Sequence, residues 1–419
     1  ELDSLGRVTL YERDDSSRPL KTTRPNGSVL IKTFDVRGNT TSEREVFNGA
    51  QYQYTYDSHS LITGITNPNN HSVIINRDAN GNPVEIINES GHITSIDYDT
   101  RGLPTRIITP NNLELTYIYN TDGLLETRIE TPPAGSPGNV RTSNYQYYDS
   151  GLLKQADTAD GRTYAYNYDQ RGRLLDITDN LGQKQSVRYD SYGNIIAVDT
   201  SNGDGSAALH IEYGHDSRNR LSEIRLPHQQ VDAITRLILD GEDNVTALVD
   251  PRGSPRTMHY DKADRLDKNI HRLNGVSNYS YDLNDQITSV VAPNGATTKY
   301  TYDLLGRRLT ETSPDRGSIK YQYDLADNLI RKIDARGIVT DYGYDELERL
   351  RSKSFPNSPT ENVSLLYDTC PLGKGRLCGI IDETGGSSYQ YDAWGNITQH
   401  QKTELGISYT TAYEYDEAN

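Results

Sequence analysis

The sequence is poor in the large apolar side chains that fill a protein core. Its 419 residues include 3 Phe, 1 Met and 1 Trp, and apolar residues make up 34% of the chain. Globular domains contain roughly 45–50% when Gly is counted, so a thick hydrophobic core is excluded. Tyr occurs 31 times. It suits a thin sheet, in which the ring packs and the hydroxyl stays in water.

Long apolar segments and clusters of basic residues are also missing. No apolar stretch approaches roughly 18 residues, which excludes a membrane-spanning helix. The net charge is −16, with 43 Lys and Arg against 59 Asp and Glu. Phosphate binding requires clustered Lys and Arg, and the basic residues here are scattered beside acids. We therefore expect no binding to nucleic acid and no insertion into a membrane.

The sequence has only two cysteines, Cys370 and Cys378. They can supply neither a disulfide framework nor a structural zinc site, which needs four ligands. Two interpretations remain open. The favoured one is a pair of free thiols, and the other is a bridge between the two arms of one hairpin.

A Tyr-Asp dipeptide recurs along the whole chain. A fixed period indicates one supersecondary unit that is copied and stacked, so the sequence predicts an array. In such an array a single polar residue is weak evidence of catalysis. The Asp of the dipeptide, or of a degenerate copy, stands every 21 residues at Asp240, Asp261, Asp282, Asp303, Asp324 and Asp345.

Residues 166–189 illustrate one unit. Tyr168 and Asp169 begin a turn, in which the Asp carboxylate can accept hydrogen bonds from the amides that follow and Gly172 supplies a positive φ. A β-prone strand, a second turn and a returning strand follow, and the returning strand ends at Tyr189. Each unit is therefore predicted to be a β-hairpin. Successive hairpins are predicted to join in one long antiparallel sheet with almost no helix.

Many units carry the form Tyr-x-Tyr-Asp. Residues two apart share a face of a strand, so both Tyr of a pair are expected on the same face. The rings of Tyr281, Tyr302, Tyr323 and Tyr344, which occupy the same phase of consecutive units, are predicted to stack directly in a ladder. A platform that stacks sugars or bases is the alternative. It is less favoured because nearly every unit carries the pair.

The residues assigned to the structural repeat are the Tyr, Asp and Gly of the clearest Tyr-Asp turns. No catalytic, cofactor-binding or metal-binding residue is assigned. The assigned residues are Tyr98, Asp99, Gly102, Tyr168, Asp169, Gly172, Tyr189, Asp190, Gly193, Tyr281, Asp282, Tyr302, Asp303, Gly306, Tyr323, Asp324, Tyr344, Asp345, Tyr391, Asp392 and Gly395.

A long twisted sheet must be covered by another layer or curl on itself. A curled ribbon of this length encloses more space than its side chains can fill, so the array is expected to be hollow. Three places break the repeat: residues 131–138, residues 201–206, and the first unit between Asp3 and Asp35. They are interpreted as rim loops, because insertions in repeat arrays usually map to one face.

The pattern Tyr-Asp-x-x-Gly-[Arg/Asn]-[Leu/Ile] resembles the YD repeat of the RHS (rearrangement hot spot) proteins. The resemblance covers essentially the whole chain, and it implies a β-ribbon that spirals into a hollow, cocoon-like shell. In bacterial RHS proteins and in the B and C subunits of insecticidal toxin complexes, this shell surrounds a C-terminal toxin. In animal teneurins a similar shell serves adhesion. Clear copies stand at residues 98–103, 168–174, 189–195, 302–309 and 391–397.

The resemblance also sets expectations for domain organisation. Residues 1–419 are interpreted as a single YD-repeat shell segment, a fragment of a longer protein without an N-terminal delivery domain, a core-associated segment or a toxin domain. Bacterial members commonly end the shell with a core segment that carries an Asp-Pro-x-Gly motif. Asp250-Pro251-Arg252-Gly253 has these letters. Regular repeats continue behind it, so it is interpreted as an ordinary turn.

Three functions are considered. The favoured one is a non-catalytic shell around a C-terminal toxin or effector domain of the same protein, secreted or exported by a bacterium, with secretion machinery as a further partner. The second is a secreted or cell-surface wall that binds a glycan or a partner cell. The third is a polysaccharide-degrading enzyme on a β-scaffold.

Residues with catalytic or metal-binding chemistry are dispersed. The nine His lie in different neighbourhoods without a metal-binding or catalytic motif. The acidic segments 202–205 and 240–244 could hold calcium through oxygen ligands, but neither matches the EF-hand pattern. No cofactor is therefore expected.

Overall fold

The computed structural model describes residues 1–227 and 232–416, which form 37 strands and one short 3₁₀ turn at Pro359–Glu361. The prediction of an all-β array with almost no helix is confirmed. His228, one of the nine His, lies outside the described residues.

The strands are short and follow one another along the whole described chain. Their bounds are β1 Leu10–Arg13, β2 Pro19–Thr23, β3 Val29–Phe34, β4 Thr40–Glu45, β5 Gln51–Tyr56, β6 Ile62–Thr66, β7 Ser72–Arg77, β8 Pro83–Ile87, β9 Ile93–Tyr98, β10 Pro104–Ile108, β11 Glu114–Tyr119, β12 Leu125–Thr131, β13 Arg141–Tyr147, β14 Leu153–Asp157, β15 Thr163–Tyr168, β16 Leu174–Asp179, β17 Lys184–Tyr189, β18 Ile195–Ser201 and β19 Ala207–His215. The remaining strands are β20 Leu221–Leu226, β21 Ala233–Leu239, β22 Val245–Val249, β23 Pro255–Tyr260, β24 Leu266–Ile270, β25 Val276–Tyr281, β26 Ile287–Val291, β27 Thr297–Tyr302, β28 Arg308–Ser313, β29 Gly317–Tyr323, β30 Leu329–Ile333, β31 Val339–Tyr344, β32 Leu350–Ser354, β33 Val363–Tyr367, β34 Leu377–Asp382, β35 Gly385–Tyr391, β36 Ile397–Glu404 and β37 Ile407–Ala412.

All strands belong to one antiparallel sheet, in which each strand pairs with the strands before and after it in the chain. The sheet is thin. Its exposed area is 24581 Å², whereas a compact monomer of 47.0 kDa would expose roughly 16,000 Å². The chain therefore folds as an extended curled ribbon and not around a thick core. Among the described residues the buried apolar side chains are small, namely Ala50, Ala156, Ala197, Ala247, Cys378 and Ala393.

The turns alternate between two rims of the ribbon. The Tyr-Asp rim carries the turns that follow the Tyr-Asp dipeptides, and the second-turn rim carries the others. At the Tyr-Asp rim the strand register shifts by one residue, as between Ser280 and Tyr281, whereas the second turn that begins at His271 keeps its register. A register shift of this kind bends a strand and increases its twist. Because the shifts recur on one rim, they bend the ribbon in a constant direction and curl the sheet.

The prediction of a lengthened first unit is wrong. Asp14 stands 21 residues before Asp35 and forms a turn of the Tyr-Asp type, in which its carboxylate accepts two of the following backbone amides at 2.9 Å. The turn was hidden in the sequence because Arg13 replaces the usual Tyr. The other two irregular segments, 131–138 and 201–206, are rim loops as predicted, since they connect β12 to β13 and β18 to β19.

The curl brings the start of the ribbon against a later part of it. The side-chain Nδ2 of Asn26 donates to the carbonyl oxygen of Leu304 at 2.8 Å, across a sequence separation of 278 residues. At 21 residues per unit, this separation of 278 equals about 13 units. The ribbon is therefore a spiral, and each complete round of it is called a coil here. The second-turn rim of the first coil lies on the Tyr-Asp rim of the second coil. The seam is our name for the contact between the second turns of the first coil, within residues 3–141, and the Tyr-Asp turns of the second coil, within residues 282–395.

Candidate functional site

Most turns of the Tyr-Asp rim are organised by an Asp carboxylate. In the turn at Asp303, Oδ1 accepts the N–H of Leu305 at 2.9 Å and that of Arg307 at 3.0 Å, and Gly306 has a φ of 90°. Where Gly is absent, a short polar residue takes the same left-handed conformation, as Asp285 does with a φ of 63°. The other assigned Asp residues accept the equivalent amides, namely Asp99, Asp169, Asp190, Asp282, Asp324, Asp345 and Asp392. The other assigned glycines also have positive φ, namely Gly102, Gly172, Gly193 and Gly395.

These hydrogen bonds favour the ionised carboxylate. In the turn at Asp216, the backbone amide and the guanidinium of Arg220, with the amide of Arg218, lower the pKa of the carboxyl to about 2. A group with a lowered pKa stabilises the folded state above its unfolded pKa, and this contribution is lost as the pH falls through the folded pKa. The contribution of these hydrogen bonds to stability is therefore present at neutral pH and is lost between about pH 4 and about pH 2.

At most Tyr-Asp turns, the Tyr hydroxyl connects the turn to the preceding hairpin. Tyr302 donates through its hydroxyl to the carbonyl oxygen of Ile287, 15 residues earlier, at 2.8 Å. Ile287 is the first residue of β26, so the bond joins two neighbouring turns on the same rim. Tyr168 differs, because its ring contacts Tyr148 edge-on with centroids 6.2 Å apart. Hydroxyl-to-carbonyl bonds of the same kind are made by Tyr98, Tyr189, Tyr281, Tyr323, Tyr344 and Tyr391.

Direct stacking of tyrosine rings in consecutive units was predicted, and for the row of Tyr281, Tyr302, Tyr323 and Tyr344 this prediction is wrong. Equivalent positions are two strands apart, about 9.6 Å, which exceeds the distance of ring–ring contact. An Arg guanidinium fills part of the gap, since that of Arg265 lies 4.7 Å from the ring centre of Tyr281. Among the described residues the ring contacts are Tyr148–Tyr168 and Tyr389–His400. Further Arg–Tyr pairs of this kind are Arg173–Tyr189, Arg307–Tyr323, Arg349–Tyr367 and Arg376–Tyr391.

The same Arg also links two turns by hydrogen bonds. Arg307 donates through Nε to Asp303 of its own turn at 2.7 Å. Its Nη1 donates at 2.9 Å to both the carbonyl oxygen of Asp324 and the carboxylate of Asp327 in the next turn. Asp327 stands where other turns carry Gly, so the residue in the left-handed conformation is also an acceptor. The same pairing occurs between Arg220 and Asp243 and between Arg265 and Asp285.

In the seam, a second turn of one coil fits between two Tyr-Asp turns of the other. Asn67 donates to Glu348 and Asn69 donates to Asp324, both at 3.0 Å. At the start of the seam, Arg7 donates to both carboxylate oxygens of Asp285, at 2.7 and 3.0 Å. These contacts are polar, and they join residues that lie more than half the chain apart in sequence.

The single Trp of the chain also lies in the seam. The guanidinium of Arg141 is 3.8 Å from the ring centre of Trp394. A Cβ atom on Gly138 would lie 2.3 Å from the ring, and Gly138 has a φ of 121°. Gly138 ends the irregular segment 131–138, so this rim loop provides the surface on which Trp394 rests.

Cys370 and Cys378 form a disulfide bond, so the favoured interpretation as free thiols is wrong. The physical reason is the length of the turn that begins at Asp368. Arg376 follows Asp368 by eight residues, whereas Arg349 follows Asp345 by four. The extended turn brings the two Cα atoms to 5.5 Å, which is within the range for bridging.

The residue two positions after the Asp of a Tyr-Asp turn differs between the coils. Where it is an exposed Arg, it reaches along the rim, as Arg37 does to the carbonyl oxygen of Asp57 at 3.2 Å. At four turns of the seam this position instead carries an apolar, half-buried residue. Exposed residues outside the seam are Arg37, His59, Arg101, Arg171 and Arg218, and half-buried residues at the seam are Leu305, Ala326, Leu347 and Trp394.

The candidate metal-binding segments are used in turns. Asp240 accepts the amides of Glu242 and Asn244, and Asp204 accepts that of Ser206. In the part of the chain that the structure describes, no group of three or more His, Cys, Asp or Glu side chains could hold a metal ion.

His271 and Asp250 each begin a second turn. Nε2 of His271 lies 3.1 Å from Oγ of Ser277, and within residues 1–227 and 232–416 no carboxylate is hydrogen-bonded to His271. Asp250 and Gly253 form a second turn, as predicted, with a φ of 78° at Gly253. No helix in the described ranges has the length and apolarity to cross a membrane.

Comparison with known proteins identifies a family and a fold. A sequence model of the teneurin YD-shell matches residues 25–186 and 179–389. The crystal structure of TcdB2-TccC3 without its hypervariable C-terminal region is similar over 96% of this chain and 25% of that chain, with 14% identity and a TM-score of 0.59. A Photorhabdus luminescens Tc holotoxin pore matches 96% of this chain and 26% of that chain, with 13% identity and a TM-score of 0.40. This chain spans about a quarter of the TcdB2-TccC3 chain that it matches. No curated protein matches it.

Removing the hydroxyl of Tyr302 tests the bond between neighbouring turns. We expect Tyr302→Phe to lower the free energy of unfolding by about 1 kcal/mol and Tyr302→Ala to lower it by about 3 kcal/mol, measured by urea denaturation. Tyr192→Phe is the matched control, because Tyr192 is 79% exposed at a turn tip. Equal effects at the two positions would contradict a structural role of the Tyr302 hydroxyl.

Gly138→Ala tests the packing of Trp394 on the rim loop 131–138. The added methyl group collides with the indole ring, so we expect Trp394 to move towards solvent and its fluorescence emission to shift to longer wavelength. Gly135→Ala is the control, since Gly135 also has a positive φ, of 81°, but nothing lies within 4 Å of a Cβ there. Trp394 is the only Trp of the chain, so the emission spectrum reports on its indole alone. An unchanged spectrum in Gly138→Ala would contradict packing of the indole ring on Gly138.

Glu348→Gln tests the electrostatics of the seam. Burial, together with Asp324, Glu89 and Asp327, raises the pKa of Glu348 above its ordinary value of 4.5. A carboxyl with a raised pKa destabilises the fold as the pH rises through that pKa. We therefore expect the variant to melt at a higher temperature than the parent at pH 7, with the difference lost near pH 4. Exposed Glu346→Gln is the control, and an equal gain there would exclude a seam effect.

Proposed function

This chain belongs to the teneurin YD-shell family, and we propose that it is a non-catalytic segment of a shell that encloses a C-terminal toxin or effector domain of the same protein. The observation that carries this proposal is the coiled single sheet. Because the ribbon has an exposed area of 24581 Å² and only small buried apolar side chains, we infer that its coils enclose space that their own side chains do not fill.

The chemistry of the repeat supports a structural role. The assigned Tyr, Asp and Gly residues are engaged in hydrogen bonds and turns of the sheet itself, once per unit. We infer that they serve the fold and do not converge on a substrate. The dispersal of His and of acidic residues is consistent with this inference.

The nature of the cargo is inferred from the relative with a similar fold. That structure is described as TcdB2-TccC3 without its hypervariable C-terminal region, and a region of this kind is the proposed content of the present shell. Residues 1–419 would then be one shell segment of a longer protein. Secretion machinery is a further proposed partner, and the net charge of −16 disfavours nucleic acid.

We further propose that the protein is secreted or exported by a bacterium. The Cys370–Cys378 disulfide supports this location, because such bonds form and persist in oxidising compartments outside the cytosol.

Limited proteolysis of the complete gene product tests encapsulation. A toxin or effector domain carried by the complete protein is expected to be digested at least tenfold more slowly within that protein than when the domain is expressed alone, because the shell excludes the protease. Equal rates, or a complete product with no domain beyond the shell, would contradict encapsulation and favour a wall that binds a glycan or a partner cell. Turnover of polysaccharides by residues 1–419 that one point mutation abolishes would favour an enzyme.

A further inference from the structure

The turn at Asp368 is built around its disulfide bond. Cys378 is buried, and the backbone N–H of Cys370 lies 3.0 Å from its Sγ. A Cβ atom on Gly373 would lie 2.5 Å from both sulfur atoms, so the backbone of the loop packs directly on the bridge. Leu372 has a φ of 54°, a left-handed conformation that disfavours residues with a side chain. The conformation of this loop therefore depends on the bridge.

The same loop, residues 368–378, is hydrogen-bonded to the other coil. The backbone N–H of Lys374 donates to Oδ1 of Asn111 at 2.9 Å, and Nδ2 of Asn111 donates to the carbonyl oxygen of Lys374 at 2.8 Å. Asp368, where the loop begins, binds the guanidinium of Arg349 at 2.6 Å and lies 3.9 Å from Nε2 of His92. Asn111 and His92 belong to the first coil, so residues 368–378 form part of the seam.

We propose that the Cys370–Cys378 disulfide is a redox-controlled latch on the seam. When oxidised, it holds residues 368–378 in the shape that presents Lys374 to Asn111. A dithiol reductant opens it by attack of one thiolate on a bridge sulfur, which breaks the S–S bond and forms a mixed disulfide. The second thiol of the reductant then displaces the protein sulfur and closes the reductant's own disulfide. Two electrons and two protons pass to the protein, and both cysteines become thiols.

Exposure decides which sulfur is attacked. Cys370 is half-buried, and its neighbours Pro371 and Lys374 are exposed, whereas Cys378 is buried. We therefore expect a small dithiol to attack the Sγ of Cys370 first. The latch requires only the seam, so it holds whether or not the shell carries a cargo domain.

Hydrogen exchange at the amide of Lys374 measures the latch directly. This amide is bonded to Asn111 in the oxidised protein, and we expect its exchange to become roughly 10- to 100-fold faster after reduction with dithiothreitol, the range for releasing a short closed loop. Titration of two thiols per chain confirms complete reduction. Exchange of the Ser28 amide, at the distant seam contact between Asn26 and Leu304, should stay unchanged.

Two variants separate the latch from a general effect of reduction. Asn111→Ala should accelerate exchange at Lys374 in the oxidised protein and reduce the further effect of dithiothreitol. The double variant Cys370→Ser, Cys378→Ser should match the reduced parent and ignore dithiothreitol. Unchanged exchange at Lys374 in the fully reduced protein would overturn the proposal. Loss of the whole β circular dichroism signal on reduction would overturn it as well, because the bridge would then hold the entire fold.

Discussion

The fold depends on hydrogen bonds from Tyr hydroxyls to main-chain carbonyls one hairpin back along the same rim. A single sheet has little buried volume, so hydrophobic burial, which dominates the stability of most globular proteins, has few large side chains to act on here. The bond from Tyr302 to Ile287 recurs at most turns of the rim and fixes a hairpin to the one before it. The guanidinium that lies over the next ring, as that of Arg265 lies over Tyr281, supplies packing that a second layer would otherwise provide.

The two rims have different tasks, and their chemistry reflects this. The Tyr-Asp rim sets the curvature, because the register shift recurs there. The second-turn rim provides the side chains that contact the next coil, such as Asn26 and Asn67. Specific seam contacts therefore arise from a few turn residues while the strands remain nearly uniform. The seam is polar and contains ionisable groups, so its strength depends on pH as well as on the redox state of one loop.

The sequence predicted the local structure well, because it follows from neighbouring residues. The period of Asp240 and its successors predicted the hairpins, and turn chemistry predicted the left-handed conformation at Gly306. The ladder prediction failed because periodicity gives the phase of Tyr281 and Tyr302 but not the two-strand distance between them. The bridge between Cys370 and Cys378 depended on the path of one irregular loop, which the sequence pattern does not specify.

The seam could not be predicted from single repeat units. It joins residues 278 apart, and its position depends on how much each unit bends the ribbon. It also separates this ribbon from an open solenoid, in which units can be gained or lost at any point. A duplicated unit between Gly138 and Trp394 would enlarge the circumference and carry Trp394 past the loop that receives it. Evolution of such a shell by repeat duplication is therefore constrained by its circumference. Units can be added or removed without breaking seam contacts only outside the segment that the seam encloses.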